Sequence, residues 1–243
     1  MRLLIIRHAD PDYSIDSLTE KGWREAEALS EKLAGEKIDY SYVSPLGRAR
    51  DTAKKGLEKL QMEPVICDWL REFHAPILRP DRDGDRIICW DWLPQDWTVE
   101  DMYYDHELWA DTEIMREGNV KAEYDRVTAG LDELLAHHGY ERSGRLYKAV
   151  KANNDTIAIF CHFGAECVLL AHLLGVSPMV LWHGLCAAPS SVTTVYTEER
   201  REGIASFRVA SFGDISHLYV ANEPPAFAAR FCECYSNADE RHD

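Results

Sequence analysis

Short apolar runs alternate along this chain with longer segments in which apolar residues recur every three or four positions. The apolar runs predict strands, and an uninterrupted run is typical of a strand buried on both faces of a sheet. The predicted strands cover residues 2–6, 40–44, 64–67, 156–161, 191–197 and 204–211. Residues 2–6 end at Arg7 and His8, two polar residues that follow the first strand directly.

Helical spacing follows several of these runs. Thr19 is a suitable N-cap for a first helix, in which one face carries Trp23, Ala26, Leu29 and Leu33. Further helices are predicted from Pro45 to about Leu60, over residues 120–138 and over residues 165–174. This alternation predicts an α/β fold of three layers, with helices on both faces of a mostly parallel central sheet. We expect one domain that covers residues 1–243.

Residues 73–118 interrupt the alternation. This segment contains four of the seven tryptophans and twelve acidic residues against four arginines. A long insertion in a compact domain is often functional, so we expect an aromatic, acidic cap that acts as a lid or specificity segment. The alternative is a small helical subdomain in which the aromatic side chains serve stability alone.

Charge and composition narrow the function classes. The formal net charge is −15 and the sequence pI is about 5.1, which disfavours a broad basic face for nucleic acid. No apolar run approaches the ~20 residues of a membrane span, so we expect a cytoplasmic protein without nucleic-acid or membrane partners. The cysteines, seven in number and irregularly spaced, indicate free thiols rather than a disulfide framework or metal site.

Candidate chemistry lies where strands end. Arg7 and His8 follow the first strand, His162 follows the strand over residues 156–161, and Arg48 lies one turn into a helix that also follows a strand. The carboxyl ends of parallel strands meet at one sheet edge, where ligands bind in open α/β sheets. Helix N-termini add backbone N–H donors there. The sequence therefore predicts an anion site that contains a nucleophile.

Each residue type suits a step of phosphoryl transfer. Guanidinium groups lower the pKa of a neighbouring imidazole and so keep His8 neutral, as a nucleophile requires. Each guanidinium can also bind two phosphoryl oxygens through two parallel hydrogen bonds. Glu72 follows the third strand among apolar residues that raise the pKa of a carboxyl, which makes it the candidate proton donor. Taken singly, each has another reading. The Arg7–His8 pair also fits a surface turn, and His162 a core histidine. Arg48 also fits a solvated helix position, and Glu72 a helix cap.

The sequence resembles the histidine phosphatase superfamily, in the branch that includes the cofactor-dependent phosphoglycerate mutases and related phosphatases. The resemblance is carried by these segments: residues 4–10 (Leu-Ile-Ile-Arg-His-Ala-Asp), 18–26, 44–53 (Ser-Pro-Leu-Gly-Arg-Ala-Arg-Asp-Thr-Ala), 70–72 (Leu-Arg-Glu) and 161–164 (Cys-His-Phe-Gly). It covers residues 1–72 and about 155–212, whereas 73–118 matches no familiar segment.

The resemblance implies a phosphoglycerate-mutase-like fold and a function for each matching residue. His8 would be the phosphorylated nucleophile, Glu72 the proton donor, and Arg7, Arg48 and His162 the phosphate-binding residues. No metal or cofactor is implied. Two positions depart from the family pattern, because Ala9 and Phe163 stand where glycine is usual. Phe163 either narrows the substrate pocket or packs in the core.

The leading hypothesis is a metal-independent phosphatase that hydrolyses a small-molecule phosphate monoester through a phosphohistidine. A mutase is disfavoured because the arginines and lysine that would hold a phosphoglycerate carboxylate are not evident, and an acidic insertion repels a small polyanion. A weakly catalytic phospho-ligand-binding regulator is a third reading. His74 follows Glu72 closely enough to line the pocket. The tail from Asn222 either packs on the domain or supports a homodimer.

Overall fold

A computed structural model of the chain describes residues 1–82, 84–226 and 230–242. Its strands within these ranges are β1 (Arg2–Arg7), β2 (Pro11–Asp12), β3 (Ser17–Leu18), β4 (Tyr40–Val43), β5 (Val65–Ile66), β6 (Pro76–Leu78), β7 (Arg86–Ile88), β8 (Tyr140–Ser143), β9 (Leu146–Ala149), β10 (Thr156–Cys161), β11 (Val192–Arg201) and β12 (Ile204–Asp214). The α-helices there are α1 (Glu20–Ala34), α2 (Gly47–Gly56), α3 (Pro94–Trp97), α4 (Glu113–Glu117), α5 (Val120–His137), α6 (Phe163–Leu174), α7 (Pro178–Gly184) and α8 (Ser216–Val220). Single 3₁₀ turns cover Glu58–Leu60, Asp68–Leu70 and Asp101–Tyr104.

The central sheet of the described chain has eight strands in the order β5-β4-β10-β1-β11-β12-β9-β8. Strands β5, β4, β10 and β1 run parallel to one another, and the remaining pairs, beginning with β1 and β11, are antiparallel. The prediction of a mostly parallel sheet is therefore corrected to a mixed sheet. The antiparallel half arises because β11 and β12 form a hairpin, as do β8 and β9, and no helix crosses over between such strands.

Strand β1 is buried on both faces, which explains its uninterrupted apolar run. Leu3 and Ile5 belong to a core cluster with α5 and α6. Leu4 and Ile6 point to the other face, where they pack in a second cluster with α1 and α2. The sheet therefore lies between two helical layers, as the strand–helix alternation predicts.

The capping and facial predictions for α1 are confirmed except at one position. The Thr19 hydroxyl accepts a hydrogen bond from the Gly22 amide at 3.0 Å and caps the helix. Ala26, Leu29 and Leu33 are buried, whereas Trp23 is 41% exposed. The prediction of a buried Trp23 is wrong, because this side chain lies at the edge of the apolar face. Helix α2 is also shorter than predicted, since it ends at Gly56 and a 3₁₀ turn follows.

The insertion over residues 73–118 is built from short elements rather than one long loop. Strands β6 and β7 pair as an antiparallel hairpin, and α3, a 3₁₀ turn and α4 follow. Its aromatic residues Trp92, Trp97, Tyr103 and Trp109 are buried in the same core cluster as α5 and α6. The insertion is thus anchored to the main domain by its aromatic side chains, with the rings of Trp109 and Trp182 5.6 Å apart.

Elements without a strong apolar signal were not predicted. The β8–β9 hairpin alternates between exposed and buried positions over only four residues per strand. Helix α7 is short and begins at a proline after the cap Ser177, whose hydroxyl accepts from the Met179 amide. Among the described residues, no helix is long and apolar enough to cross a membrane.

The core position of Ile5 gives a stability prediction. Ile5 is fully buried in β1, so Ile5→Ala removes buried methyl groups and leaves a cavity, which we expect to lower the free energy of unfolding by about 2–5 kcal/mol. Urea denaturation measures this change. The control is Ile15→Ala, at a position that is 68% exposed, where the change should stay within about 0.5 kcal/mol. Equal effects of the two substitutions would contradict the assigned core.

Candidate active site

Two histidines meet at one edge of the sheet because their strands are parallel neighbours. Arg7 of β1 stands in register with Cys161 of β10, so the next residue of each chain segment, His8 and His162, leaves the sheet at the same level. The His8 amide donates to the Cys161 carbonyl at 3.0 Å. The two imidazole centroids are 5.0 Å apart, and both side chains are buried.

The proton of His8 is fixed by the backbone. Its Nδ1 lies 2.8 Å from the Ala9 carbonyl oxygen, which can only accept, so Nδ1 carries the hydrogen and Nε2 carries the lone pair. Burial, with the charges of Arg7 and Arg48, holds the pKa of His8 well below its usual value. The imidazole is therefore neutral at physiological pH, with its nucleophilic nitrogen free of the Ala9 contact.

His162 is oriented by Ser44. The Ser44 hydroxyl accepts from the Leu46 amide at 3.3 Å, so its own hydrogen is available for His162 Nε2 at 2.7 Å. With the Ser44 hydroxyl as donor to Nε2, the hydrogen of His162 lies on Nδ1, a buried nitrogen that has no hydrogen-bond partner among the described residues. Burial, His8 and the two arginines lower the pKa of His162 well below its usual value. His162 is therefore a neutral donor with an unfilled hydrogen bond.

Arg7 and Arg48 bring positive charge to both imidazoles. Arg7 Nη1 donates to the Ala187 carbonyl, and Arg48 Nη1 pairs with Asp16 Oδ1 at 2.7 Å. The Nε atoms of both arginines are buried without a partner in the described part of the chain. With His162 Nδ1, they make three N–H donors that protein atoms leave unsatisfied. Such donors favour an anion, because an unpaired buried donor costs about 1–3 kcal/mol.

Helix α2 is tied to the loop after β1 by Thr52. The Thr52 hydroxyl donates to the Arg48 carbonyl at 2.7 Å and accepts from the Ala9 amide at 3.0 Å. The Ala9 carbonyl also accepts from His8 Nδ1. The Thr52 bridge therefore fixes His8 and helix α2, which carries Arg48, relative to each other. This accounts for a threonine four residues after Arg48 in the motif of residues 44–53.

The N-terminus of α1 holds the same loop from the other side. Thr19 Oγ1 donates to Asp10 Oδ2 at 2.7 Å, and buried Glu25 accepts from the Asp10 amide at 2.8 Å. A Cβ at Gly22 would lie 2.2 Å from the Asp10 carbonyl oxygen, so only glycine permits this approach. The segment over residues 18–26 therefore positions the loop that carries His8.

Glu72 is held by the N-terminus of α6. Its Oε1 accepts from the Phe73 amide at 2.8 Å and from the Ala165 amide at 2.9 Å, and its Oε2 lies 3.4 Å from the Gly164 amide. Burial raises the pKa of Glu72, although these amide donors and both arginines oppose that shift. A Cβ at Gly164 would lie 2.7 Å from Glu72 Oε1. The glycine therefore leaves space for the carboxyl beside the histidine pair.

The structure brings together five of the residues that the sequence singles out: Arg7, His8, Arg48, Glu72 and His162. Phe163 lies beside them with its ring centroid 5.8 Å from the Arg7 guanidinium carbon. The side chain of His74 is exposed, and the interpretation that it lines the pocket stays a prediction.

Sequence reasoning missed several supporting residues. Ser44 and Thr52 lie inside the quoted motif, and their hydroxyls were a usable signal. Ala187, which binds Arg7 through its carbonyl, gives no sequence signal because any residue supplies that atom. Glu166 is a further buried carboxyl one turn after His162, and burial raises its pKa to about 7. An acidic residue within an otherwise apolar helix is a sequence signal that could have identified it.

The described side chains around the histidine pair do not form a metal site. In the described ranges, no group of three or more His, Cys, Asp or Glu side chains is arranged to hold a metal ion. The charged groups that face the histidine pair are arginines, which suit an anion rather than a cation.

Solved structures share this fold. A phosphoserine phosphatase variant from Entamoeba histolytica, in complex with phosphoserine, superimposes with a TM-score of 0.60 at 20% identity and covers 89% of this chain and 98% of its own. The α-ribazole phosphatase from Shigella flexneri gives a TM-score of 0.55 at 21% identity, over 88% of this chain and 98% of its own. At such low identity, these matches support the fold alone.

Sequence comparisons place the chain in a family. Phosphoserine phosphatase 1 from Hydrogenobacter thermophilus is 22% identical over 222 residues, which are 86% of this chain and 92% of that protein. The adenosylcobalamin/α-ribazole phosphatase of Escherichia coli is 24% identical over 201 residues, 75% of this chain and 84% of its own. The model of the histidine phosphatase superfamily (branch 1) matches residues 3–209. The chain therefore belongs to the histidine phosphatase superfamily, branch 1.

Proposed function

We propose that this protein is a metal-independent phosphatase that hydrolyses a phosphate monoester through a phosphohistidine at His8. The observation that carries the proposal is the set of three buried, unpartnered N–H donors beside a histidine whose proton is fixed on Nδ1. A dianionic phosphoryl group satisfies all three donors at once, and the guanidinium charges complement it. Membership of the family and the phosphatase activities named for its relatives agree with this assignment.

In the first step, His8 Nε2 attacks the phosphorus atom of the bound ester. An N–P bond forms while the P–O bond to the alcohol breaks, and the departing oxygen takes the proton of Glu72. The N–H groups of Arg7, Arg48 and His162 hold the phosphoryl oxygens as charge redistributes over them. The Ala9 carbonyl accepts the Nδ1 hydrogen throughout and keeps the imidazole oriented.

In the second step, water attacks the phosphohistidine. The Glu72 carboxylate, now without its proton, accepts a proton from the water as the new P–O bond forms. The P–N bond breaks and its electron pair returns to His8 Nε2. Orthophosphate leaves, Glu72 is protonated again, and the sum of both steps is an ester plus water giving an alcohol plus orthophosphate.

The whole chain acts as one domain in this proposal, with residues 73–118 as its specificity segment. Support comes from the packing of this insertion against α6 and α7, the helices that follow the site. Trp90 lies over Gly164, since a Cβ there would meet the Trp90 ring at 3.0 Å, and so reaches the residue beside Glu72. A cap anchored in this way covers the site and contacts the alcohol part of an ester.

Orthophosphate, the proposed product, should stabilise the folded protein. A ligand at 100 times its Kd adds about 2.7 kcal/mol to the free energy of unfolding, so phosphate should raise the thermal midpoint in a concentration-dependent way. Arg48→Met should remove most of this shift. Arg50→Met is the matched control, because Arg50 lies on the same helix and is exposed. A shift that survives in Arg48→Met would place the anion elsewhere.

Loss of the nucleophile should abolish turnover. We expect His8→Ala to lower kcat on p-nitrophenyl phosphate by at least about 10³-fold, with EDTA present throughout. Acid quench of the wild type during turnover should trap acid-labile, protein-bound phosphate that the variant lacks. Undiminished hydrolysis by His8→Ala contradicts the proposal, and so does wild-type activity that EDTA removes and a divalent cation restores.

The proton donor gives a prediction that depends on the leaving group. Glu72→Gln cannot protonate the departing oxygen, so kcat/KM, which reports formation of the phosphohistidine and not its hydrolysis, should fall by about 10²–10⁴-fold for ethyl phosphate. It should fall much less for p-nitrophenyl phosphate, whose leaving group needs no proton. The raised pKa of Glu72 keeps its carboxyl protonated at pH values where an ordinary carboxyl is ionised. Activity should be lost as the pH rises through the pKa of Glu72.

This alkaline decline should disappear in Glu72→Gln. The lowered pKa of His8 places loss of the neutral nucleophile at lower pH than for an ordinary histidine, in both proteins. Ionisation of the substrate affects both profiles equally, so the difference between them reports Glu72. Equal losses on the two esters would contradict its assignment as the acid.

A further inference from the structure

A cavity of about 510 Å³ lies beside the histidine site. Its walls come from four separate parts of the chain: the insertion, Phe163 at the start of α6, the end of α7 with the residues after it, and the described C-terminal residues from Arg230 onward. Its volume falls in the range of pockets that hold drug-sized ligands, about 300–1,000 Å³. A water molecule takes up about 30 Å³, so the cavity has room for many more heavy atoms than the three-carbon part of phosphoserine contains.

The cavity adjoins the site through Phe163. This side chain lines the cavity, follows His162 in the chain, and places its ring 5.8 Å from the guanidinium carbon of Arg7. Cys186 lines the cavity as well, and the next residue, Ala187, binds Arg7 through its carbonyl. The ring of Phe163 therefore lies where the cavity adjoins the proposed phosphate site.

The Trp90 ring packs against the Phe163 ring. It meets the Phe163 ring edge to face, with centroids 6.0 Å apart, and its indole nitrogen donates to the Phe73 carbonyl at 3.3 Å. Arg79 donates to the Trp90 carbonyl at 2.7 Å. The insertion therefore positions the Phe163 ring, which lies where the cavity adjoins the histidine site.

Acidic groups of the cavity wall are paired within the protein. Asp81 pairs with Arg79, with Nε to Oδ1 at 2.8 Å, and Asp91 pairs with Arg241 at 2.9 Å. Glu233 pairs with Arg230. Each of these acidic groups has an opposite charge beside it, so the pairs offer no unmatched charge to a second charged group on the substrate. The wall therefore favours an alcohol that carries no charge of its own.

Apolar surface makes up much of the remaining wall. Phe163 and Trp182 form its inner part, and Leu93, which is 39% exposed, lies with Pro94 at the side that the insertion contributes. Burying a ligand's apolar surface against these side chains is favourable in proportion to the area removed from water. The volume of the cavity, its paired charges and its apolar wall all favour a bulky, uncharged and apolar group.

We propose that this cavity binds the alcohol part of the substrate and selects phosphate monoesters of uncharged alcohols that carry a ring or a comparably bulky apolar group, with Phe163 as the residue that such a group contacts. The assignment rests on the proposed phosphatase function of His8. It distinguishes this protein from an enzyme that takes phosphoserine or phosphoglycerate, which place one or two additional charges next to the phosphate.

Three esters of primary alcohols test the proposal, because their leaving groups are of similar reactivity. They are ethyl phosphate, 2-phenylethyl phosphate and O-phosphoserine. We expect kcat/KM for 2-phenylethyl phosphate to exceed that for each of the others by at least about tenfold, which is the lower end of what a hydrophobic pocket discriminates. Equal values for ethyl and 2-phenylethyl phosphate, or a preference for phosphoserine, would overturn the proposal.

A variant of the cavity wall locates the effect. Leu93→Asp adds an unpaired charge to the wall and should reduce the preference for 2-phenylethyl over ethyl phosphate at least about fivefold. Leu108→Asp is the matched control. Leu108 is 45% exposed in the same insertion but is not among the described residues that line the cavity, so the preference should be retained. Loss of preference in both variants, or in neither, would contradict the location.

Binding of non-hydrolysable phosphonates separates this inference from the function on which it rests. By calorimetry, 2-phenylethylphosphonate should bind at least about tenfold more tightly than ethylphosphonate. If no ester is hydrolysed but this difference and its loss in Leu93→Asp are found, the cavity assignment stands and the phosphatase proposal fails. If esters are hydrolysed through His8 but the two phosphonates bind equally, the cavity assignment fails and the phosphatase proposal stands.

Discussion

The site depends on keeping positive charge and N–H donors out of water without a protein anion to satisfy all of them. Arg7 and Arg48 each leave a buried Nε unpaired, and His162 leaves Nδ1 unpaired. Unsatisfied buried donors of this kind cost about 1–3 kcal/mol each, and more where the donor is charged. Under the proposed function, a bound phosphoryl group recovers that cost by accepting from these donors. Burial and the same charges lower the pKa of His8, so the arrangement proposed to bind the phosphoryl group also keeps the proposed nucleophile neutral.

Parallel pairing of β1 and β10 is what makes this arrangement possible. Since Arg7 and Cys161 are in register, the residues that follow them emerge side by side, with no long loop to position either histidine. Thr52 then fixes the arginine helix to the backbone after His8, and the N-terminus of α6 holds Glu72. Every reactive group is therefore attached to a strand end or a helix end, which limits its motion relative to the others.

The sequence predicts this part well because local patterns encode it. Uninterrupted apolar runs identify β1 and β10, and the structure brings together His8 and His162, the polar residues that follow these strands directly. The mixed character of the sheet was not predictable from the same runs, since a run has no direction and the β8–β9 hairpin carries little apolar signal. Contacts through backbone atoms were equally hidden. The Ala187 carbonyl that binds Arg7 could belong to any residue, and the exposure of His74 depends on the path of the chain after Glu72.

In the two proposals, chemistry and selectivity lie on different parts of the chain. The groups proposed to transfer the phosphoryl group come from strand and helix ends shared with the family, whereas the cavity is built by the insertion, α7 and the C-terminal residues. Phe163 connects the two, because it follows His162 directly and stands where glycine is usual in the family pattern. A side chain at that position adds apolar surface beside the phosphate without altering Gly164, the residue whose lack of a Cβ leaves space for Glu72. Selectivity can therefore change at Phe163 and in the insertion while the positions of the nucleophile and the acid are kept.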